Sequence, residues 1–298
     1  MEISNDLINE LRSSVGEEVS NELSNSDCIR FLRARNGNIE KATIMVTTWY
    51  TWWHTSLSGR NTDDTTPSTI LKNIEDHFES VIIEHCPHAL EGFDKEGHPV
   101  YWEQTGFISN NLNQIAAVMT LDDLLNRHIR LQELMHIRRE YKSKQLGKSI
   151  EKSVIILDLK HLSMSPSFFG IQYVQKMFQI DEKYYPERLA KLFIINTPWF
   201  FSAIYALITP FIDPITASKI RIIGSDYLDE LREHIDDSEI PVEMGGSKSG
   251  ITWQWPYPEE SGISPEQIRL YQEEHQSNKS SKVFASDESR DNIAYEAG

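Results

Sequence analysis

Residues 184–224 read YYPERLAKLFIINTPWFFSAIYALITPFIDPITASKIRIIG, and this stretch decides the fold. Leu192–Asn196 is a short apolar run ending in a turn signal, as expected of a strand buried on both faces. Ile220–Ile223 is a second such run, closed by Gly224. Between them lies a segment of helical length, and strand–helix–strand crossovers are almost always right-handed and parallel. The segment from Trp199 to Ile212 carries Trp199, Phe200, Phe201, Ile204, Leu207, Ile208 and Phe211, so no face is polar. A helix lying over a sheet in water keeps one wet side. This one is also too short to span a bilayer. Its apolar ends and the kinking Pro210 point to a helix that covers an apolar cavity and can touch lipid.

Composition narrows the partners. The net charge of −16 argues against nucleic acid, which needs a basic footprint, and against bulk attraction to anionic membranes. Cys28 and Cys86 make no disulfide framework, which fits a reducing compartment. The N-terminal residues show neither a basic nor an apolar signal region, and no run reaches transmembrane length. The expected location is the cytoplasm.

In chain order, residues 1–70 read as a helical domain. A weakly amphipathic helix spans Ile3–Val15, capped by Ser4 or Asn5. Asp27 is expected to cap CIRFLRAR, which exits at Asn36-Gly37. Asn38 caps a longer helix from Ile39 to about Thr55. Its cluster Trp49, Tyr50, Trp52 and Trp53 reads as packing. Residues 58–68 form a polar loop, and VYWEQ is a strand after the turn at Asp94–Gly97. Thr120 and Asp123 open a helix running to Lys144 and stopped at Gly147. Ser153–Leu159 is a buried strand, and Ser165-Pro166 opens a helix to about Asp181. A short helix follows near Tyr227–His234, then a sharp turn at Ile240–Gly246. Helices alternating with buried strands define an α/β domain over residues 75–246. Residues 247–298 are a polar extension, partly disordered, with a short helix at Pro265–Gln276.

Enzyme signatures are missing: there is no nucleophile elbow, phosphate loop, dinucleotide fingerprint or zinc-protease helix. His85, Cys86 and His88 lack a fourth ligand at a metal-binding spacing and read as a solvated loop. Asp158 ends a strand with no base or nucleophile assignable beside it. Asp181, Glu182 and Glu187 read as a solvated carboxylate patch. Glu187 precedes one buried strand and Lys219 the next, so both could lie at one sheet end. They are either a surface ion pair worth little or a polar clamp at a cavity mouth.

RFLRAR, PVYWEQ, VIILDLKHLS, YYPERLAKLFIINTPWFF, PFIDPITASKI and IPVEMGG stand in an order that resembles the Sec14-like, CRAL-TRIO lipid-transfer family, from Asp27 to Gly246. The resemblance implies a helical N-terminal domain packed on a lipid-binding domain, with a mostly parallel sheet floor and a mobile gate helix. It implies phosphatidylinositol as cargo, with headgroup contacts at Arg35, Pro99, Glu187, Asp213, Thr216 and Lys219. Asn36 stands where the family has a lysine, so part of the phosphate grip is weaker or comes from elsewhere. For a second lipid only Tyr101 and Ser153 match. The other expected tyrosines fall on Leu90 and Gln132, and a threonine on Ile155, so the second ligand is phosphatidylcholine or something more apolar. No cofactor or metal is implied beyond bound phospholipid. Partners are a transiently contacted Golgi or endosomal membrane and a lipid kinase, with no enzymatic step. The alternatives are a carrier of tocopherol, retinoid or sterol-like cargo, and a lipid-dependent regulatory scaffold.

Overall fold

The computed structural model describes residues 2–56, 82, 84–164 and 167–249. The readings for residues 58–68, for Ser165-Pro166 and for Pro265–Gln276 lie outside the described residues.

The chain begins with four helices: α1 (Asn5–Val15), α2 (Glu17–Glu22), α3 (Asn25–Ala34) and α4 (Ile39–Ser56). Ser4 caps α1 by accepting from the Leu7 amide. Asp27 is not the cap of α3. That role falls to Ser24, whose hydroxyl accepts from the Asp27 amide at 3.0 Å while the Asp27 carboxylate accepts from the Ser24 amide at 3.2 Å. Serine three residues ahead of an acidic residue makes the reciprocal box, which satisfies two orphan donors where a lone Asp cap would satisfy one. Asn36 and Gly37 take positive φ values of 51° and 75° as the chain leaves α3. Leu11, Phe31, Leu32 and Val46 interlock α1, α3 and α4. The α4 aromatics pack as expected: Trp49 lies against this core, and Trp52 stacks on Tyr184 with ring centres 3.9 Å apart.

The remainder is built on five strands in spatial order β1 (His88–Phe93), β2 (Pro99–Glu103), β3 (Ser153–Asp158), β4 (Leu189–Ile195) and β5 (Ile220–Ile222). β1 runs antiparallel to β2, and all other pairs are parallel. The long crossovers demanded by parallel pairing carry α5 (Thr105–Val118), α6 (Leu121–Leu146) and α7 (Phe168–Tyr184). Between β4 and β5 come α8 (Phe201–Ile208), a 3₁₀ turn (Thr209–Phe211) and α9 (Pro214–Ser218); α10 (Leu228–His234) follows the sheet. The expected single helix from Trp199 to Ile212 is thus broken, because Pro210 has no amide to donate.

Alternation along the strands separates two sheet faces. Val100, Trp102, Val154, Ile156, Phe193 and Ile195 point to one side, where they pack under Leu231, Ile235, Ile240 and Met244. Tyr101, Glu103, Ile155, Leu157 and Leu192 point to the other, toward α6, α7 and α8. That second face floors the site.

Two expectations are corrected here, and Asp158 gains a structural role. His88 is not in a solvated loop but opens β1 and is 1% exposed. Its Nδ1 lies 2.9 Å from the Cys86 carbonyl and its Nε2 2.6 Å from Arg127, so both ring nitrogens are engaged and neither is free for a metal. Asp181 and Glu187 are not a solvated patch. Asp181 accepts from Gln132, and Glu187 lies between two lysines. Asp158 has a turn-closing role: its carboxylate accepts from the Lys160 amide and the Asn196 side chain, both at 2.8 Å.

Candidate functional site

A cavity of about 650 Å³ lies between the second sheet face and the helices above it. Ile155, Leu157 and Leu192 form part of the floor, with Leu131 of α6, Met177 of α7 and Ile204 of α8 among the walls. This is the apolar chamber that the all-round apolar helix required. α8 has two differently placed groups of side chains. Ile204, Ile208 and, just beyond, Phe211 line the cavity. Trp199 is 83% exposed and Leu207 49%, so the outer side is apolar as well. Phe200 packs edge-on against Trp199. Phe201 is not with them: it is 6% exposed and buried among Leu159, Leu192, Ile194 and Ile220.

At the end of the cavity where the parallel strands begin, polar groups converge. Ser153 pairs with Leu189 and Leu192 with Ile220, so the residues preceding β4 and β5 share one sheet end. Glu187 is there with a positive φ of 60°, its Oε2 3.6 Å from Lys219 Nζ and 3.9 Å from Lys152 Nζ. The Glu187 and Lys219 side chains are only 16% and 17% exposed, so this pair is not a freely solvated one. Arg35, Asp213 and Thr216 line the same cavity. Asp213 Oδ1 is already engaged as the N-cap of α9, accepting from the Ile215 and Thr216 amides at 2.9 and 3.0 Å. Burial alone would raise its pKa, but the hydrogen bonds from Thr216 and Ile215, aided by Lys219, hold it below the usual carboxylate value. Pro99 stands apart. It begins β2, pairs with Phe93 and is not on the cavity wall.

Behind the mouth runs a partly buried ionic chain that sequence reading does not find. Asp27 Oδ1 accepts from Arg30 Nε at 2.9 Å and from Arg188 at 3.2 Å, and Arg33 pairs with Glu151 at 2.7 Å. These contacts fasten α3 to the segment bearing Glu187. Farther in, Arg139 donates to Ser153 Oγ at 2.9 Å, and the Tyr185 hydroxyl donates to Glu133 at 2.7 Å. Burial, helped by the Arg139 and Arg188 charges, pushes the His136 pKa down to about 3, leaving it neutral. Burial also raises the Glu133 pKa, against the Tyr185 hydrogen bond.

The two residues expected at a second-lipid site both line the cavity, and both are engaged with protein partners. The Tyr101 hydroxyl donates to Glu103 at 2.7 Å, while Ser153 accepts from Arg139. Opposite them, His128 Nε2 and Gln132 Nε2 lie 2.7 and 2.8 Å from the same oxygen of Asp181. Asp181 and His128 are 53 positions apart in the chain, so no local spacing pairs them.

The comparisons with known proteins agree with this architecture. The CRAL/TRIO domain family matches residues 84–246. The SEC14 cytosolic factor of Candida glabrata is 32% identical over 225 residues, covering 75% of this chain and 71% of that one. A phosphatidylinositol/phosphatidylcholine transfer protein of Arabidopsis thaliana, SFH7, is 34% identical over 222 residues, 73% of this chain and 38% of its own. The crystal structure of Sfh5 superposes with a TM-score of 0.65 at 15% identity over 92% of this chain and 99% of that one, a likeness of fold. The fold and cavity define a chain of the CRAL/TRIO class. It belongs to the CRAL/TRIO family and, within it, is Sec14-like.

Proposed function

We propose that the chain binds one phosphatidylinositol molecule and transfers it between membranes without a covalent step. The observation that carries this reading is an apolar cavity whose lining includes Arg35, Glu187, Thr216 and Lys219. A cation and hydroxyl-seeking groups at the mouth suit a phosphoinositol headgroup, while the apolar walls suit acyl chains. The apolar walls contribute most of the affinity, about 0.8 kcal/mol per CH₂ removed from water. That contribution is nearly equal for lipids of equal chain length, so the mouth must discriminate. Trp199 and Phe200 would enter the membrane interface when α8 swings aside, with Phe201 remaining a hinge-side anchor in the core. Relatives named for phosphatidylinositol and phosphatidylcholine transfer support the lipid class. Among the described residues no helix is long and apolar enough to cross a membrane, which supports a peripheral mode. We extend the proposal to a cytoplasmic protein that visits Golgi or endosomal membranes and presents its lipid to a kinase.

The test is Lys219→Ala in a vesicle-to-vesicle transfer assay. Loss of one charge-assisted contact predicts a drop of about tenfold or more in phosphatidylinositol transfer by a variant that still folds, with its circular dichroism spectrum retained. Transfer at the wild-type rate would refute the mouth assignment and favour another hydrophobic cargo.

A further inference from the structure

We propose that Lys152 is a specificity-determining residue of the mouth: with Lys219 it flanks Glu187 and favours a phospholipid of net negative headgroup over a zwitterionic one. This deepens the reading of the cavity as a phosphatidylinositol site and rests on it.

Lys152 belongs to no helix or strand, and backbone contacts set its place. α6 stops at Gly147, whose left-handed φ of 62° turns the chain, and β3 begins at Ser153. The Ser153 amide donates to the Arg188 carbonyl at 2.9 Å, and Arg188 Nη1 donates to the Glu151 carbonyl at 3.3 Å. Both neighbours of Lys152 are thereby tied to the residue that follows Glu187. This strap carries Lys152 Nζ to 3.9 Å from Glu187 Oε2, the same oxygen that Lys219 Nζ approaches at 3.6 Å. Lys219 lines the cavity and is 17% exposed, whereas Lys152 stands outside the lining and is 33% exposed. Lys152 is therefore the cation that a headgroup projecting from the cavity meets on the solvent side.

Neither distance is a hydrogen bond, because a charge-assisted N–H···O contact closes to about 2.7–2.9 Å. Among the described residues no acceptor takes a hydrogen bond from either ammonium, so both keep their donors for a ligand. Sharing one carboxylate oxygen, the two nitrogens lie close enough together for one phosphate to accept from both. The charge balance shows why the second lysine matters. Two carboxylates, Glu187 and Asp213, act on Lys219, and with Lys219 alone the excess negative charge would disfavour a phosphate. Lys152 restores the balance, and Arg35 on the cavity lining tips it positive. The other charges on the strap are already paired, Arg33 with Glu151 at 2.7 Å and Arg188 with Asp27 at 3.2 Å. A phosphoinositol headgroup gains from both ammoniums. A choline headgroup also brings a phosphate, but it carries a quaternary ammonium toward like charge, and that repulsion adds to the discrimination.

The test loads the full chain from vesicles holding equal amounts of dioleoyl phosphatidylinositol, phosphatidylglycerol and phosphatidylcholine, and counts bound lipids by mass spectrometry after re-isolation. The acyl chains are identical, so ratios report the headgroup. Lys152→Gln should lower the phosphatidylinositol-to-phosphatidylcholine ratio by about threefold to tenfold, the effect of one charge-assisted contact at a partly exposed site. Lys152→Arg should restore it. A partly exposed pair at 3.9 Å adds little to stability, so the variants keep the fold. In the unaltered chain the same ratio should fall as salt rises from about 0.05 to 0.5 M. Glu187→Gln separates contact from support: a Lys152 that only held Glu187 would lose its effect in that background, whereas one that meets the phosphate keeps it. An unchanged ratio in Lys152→Gln, no effect of Lys152 in the Glu187→Gln background, or indifference to salt overturns the role of Lys152. Phosphatidylinositol loading by the unaltered chain would still leave the cargo reading standing. Phosphatidylglycerol loaded in its place, with the same dependence on Lys152, supports the cation and sinks the inositol reading. Loading of none of the three sinks both.

Discussion

Asp27→Asn is expected to loosen the junction between α3 and the strand that bears the mouth. The Asp27 side chain is 18% exposed, and its Oδ1 is shared by Arg30 and Arg188, themselves 4% and 10% exposed. Burial alone would raise the Asp27 pKa. The charges of Arg30 and Arg188 and the hydrogen bonds from Ser24 and Arg30 outweigh it, holding the carboxyl well below the usual carboxylate range. Neutralising it leaves two guanidiniums facing each other with little water to screen them. Removing one partner of a buried ion pair costs about 3–5 kcal/mol. Taking about 3 kcal/mol, the melting temperature should fall by roughly 6–12 °C at neutral pH. The pH dependence has a definite sign. A carboxyl with a depressed folded pKa stabilises above its unfolded pKa of about 3.9, and that stability is lost as pH falls toward the folded value. The gap between wild type and variant should therefore be full at pH 7 and shrink below about pH 4. Calorimetric melting of both proteins across pH 3–7 reads it directly. Equal melting temperatures at pH 7, or a gap that widens on acidification, would refute the reasoning.

Two contrasting aromatics give a second prediction. Trp199→Ala should leave stability within about 0.5 kcal/mol of wild type and weaken vesicle co-sedimentation, because the ring is 83% exposed. Phe201→Ala should instead cost about 3–5 kcal/mol in denaturant unfolding, since it empties the cluster around Leu192 and Ile194. Gly106→Ala should also destabilise, by about 1–3 kcal/mol in the same assay, because its new methyl would collide with the Lys160 carbonyl. That collision would displace α5 from the Lys160 carbonyl, and α5 carries Thr105, Ile108 and Leu112 of the cavity wall.

The parallel centre of the sheet was legible because Ser153–Asp158 and Leu189–Ile195 carry apolar runs buried by helices, the one strand pattern that needs no alternation. β1 was not. His88–Phe93 contains a histidine, a glutamate and Gly92, whose φ of 80° accompanies a register shift between Leu90 and Phe93, and neither an apolar run nor a clean period survives that. α5 was missed for a related reason. Its Asn-rich sequence, TGFISNNLNQIAAV, has weak helical propensity, and packing of buried Ile115 helps hold it. The mouth was half visible. Glu187 and Lys219 each precede a readable strand, whereas Asp27–Arg188 and His128–Asp181 are pairings across 161 and 53 positions that only the finished fold creates.

The same separation bears on how selectivity would be divided. Residues near readable strand ends form the cavity mouth, and residues joined only by tertiary structure form its inner wall. A lipid whose chains fill the apolar middle gains the same burial whichever headgroup it carries. Choice between headgroups is then left to the polar groups, each worth roughly a tenfold factor when its contact is charge-assisted or buried. On the proposed function, Lys219 at the mouth rewards a phosphate. A substitution at Lys219 should shift the bound population toward neutral lipid without emptying the cavity, because the apolar contribution survives it.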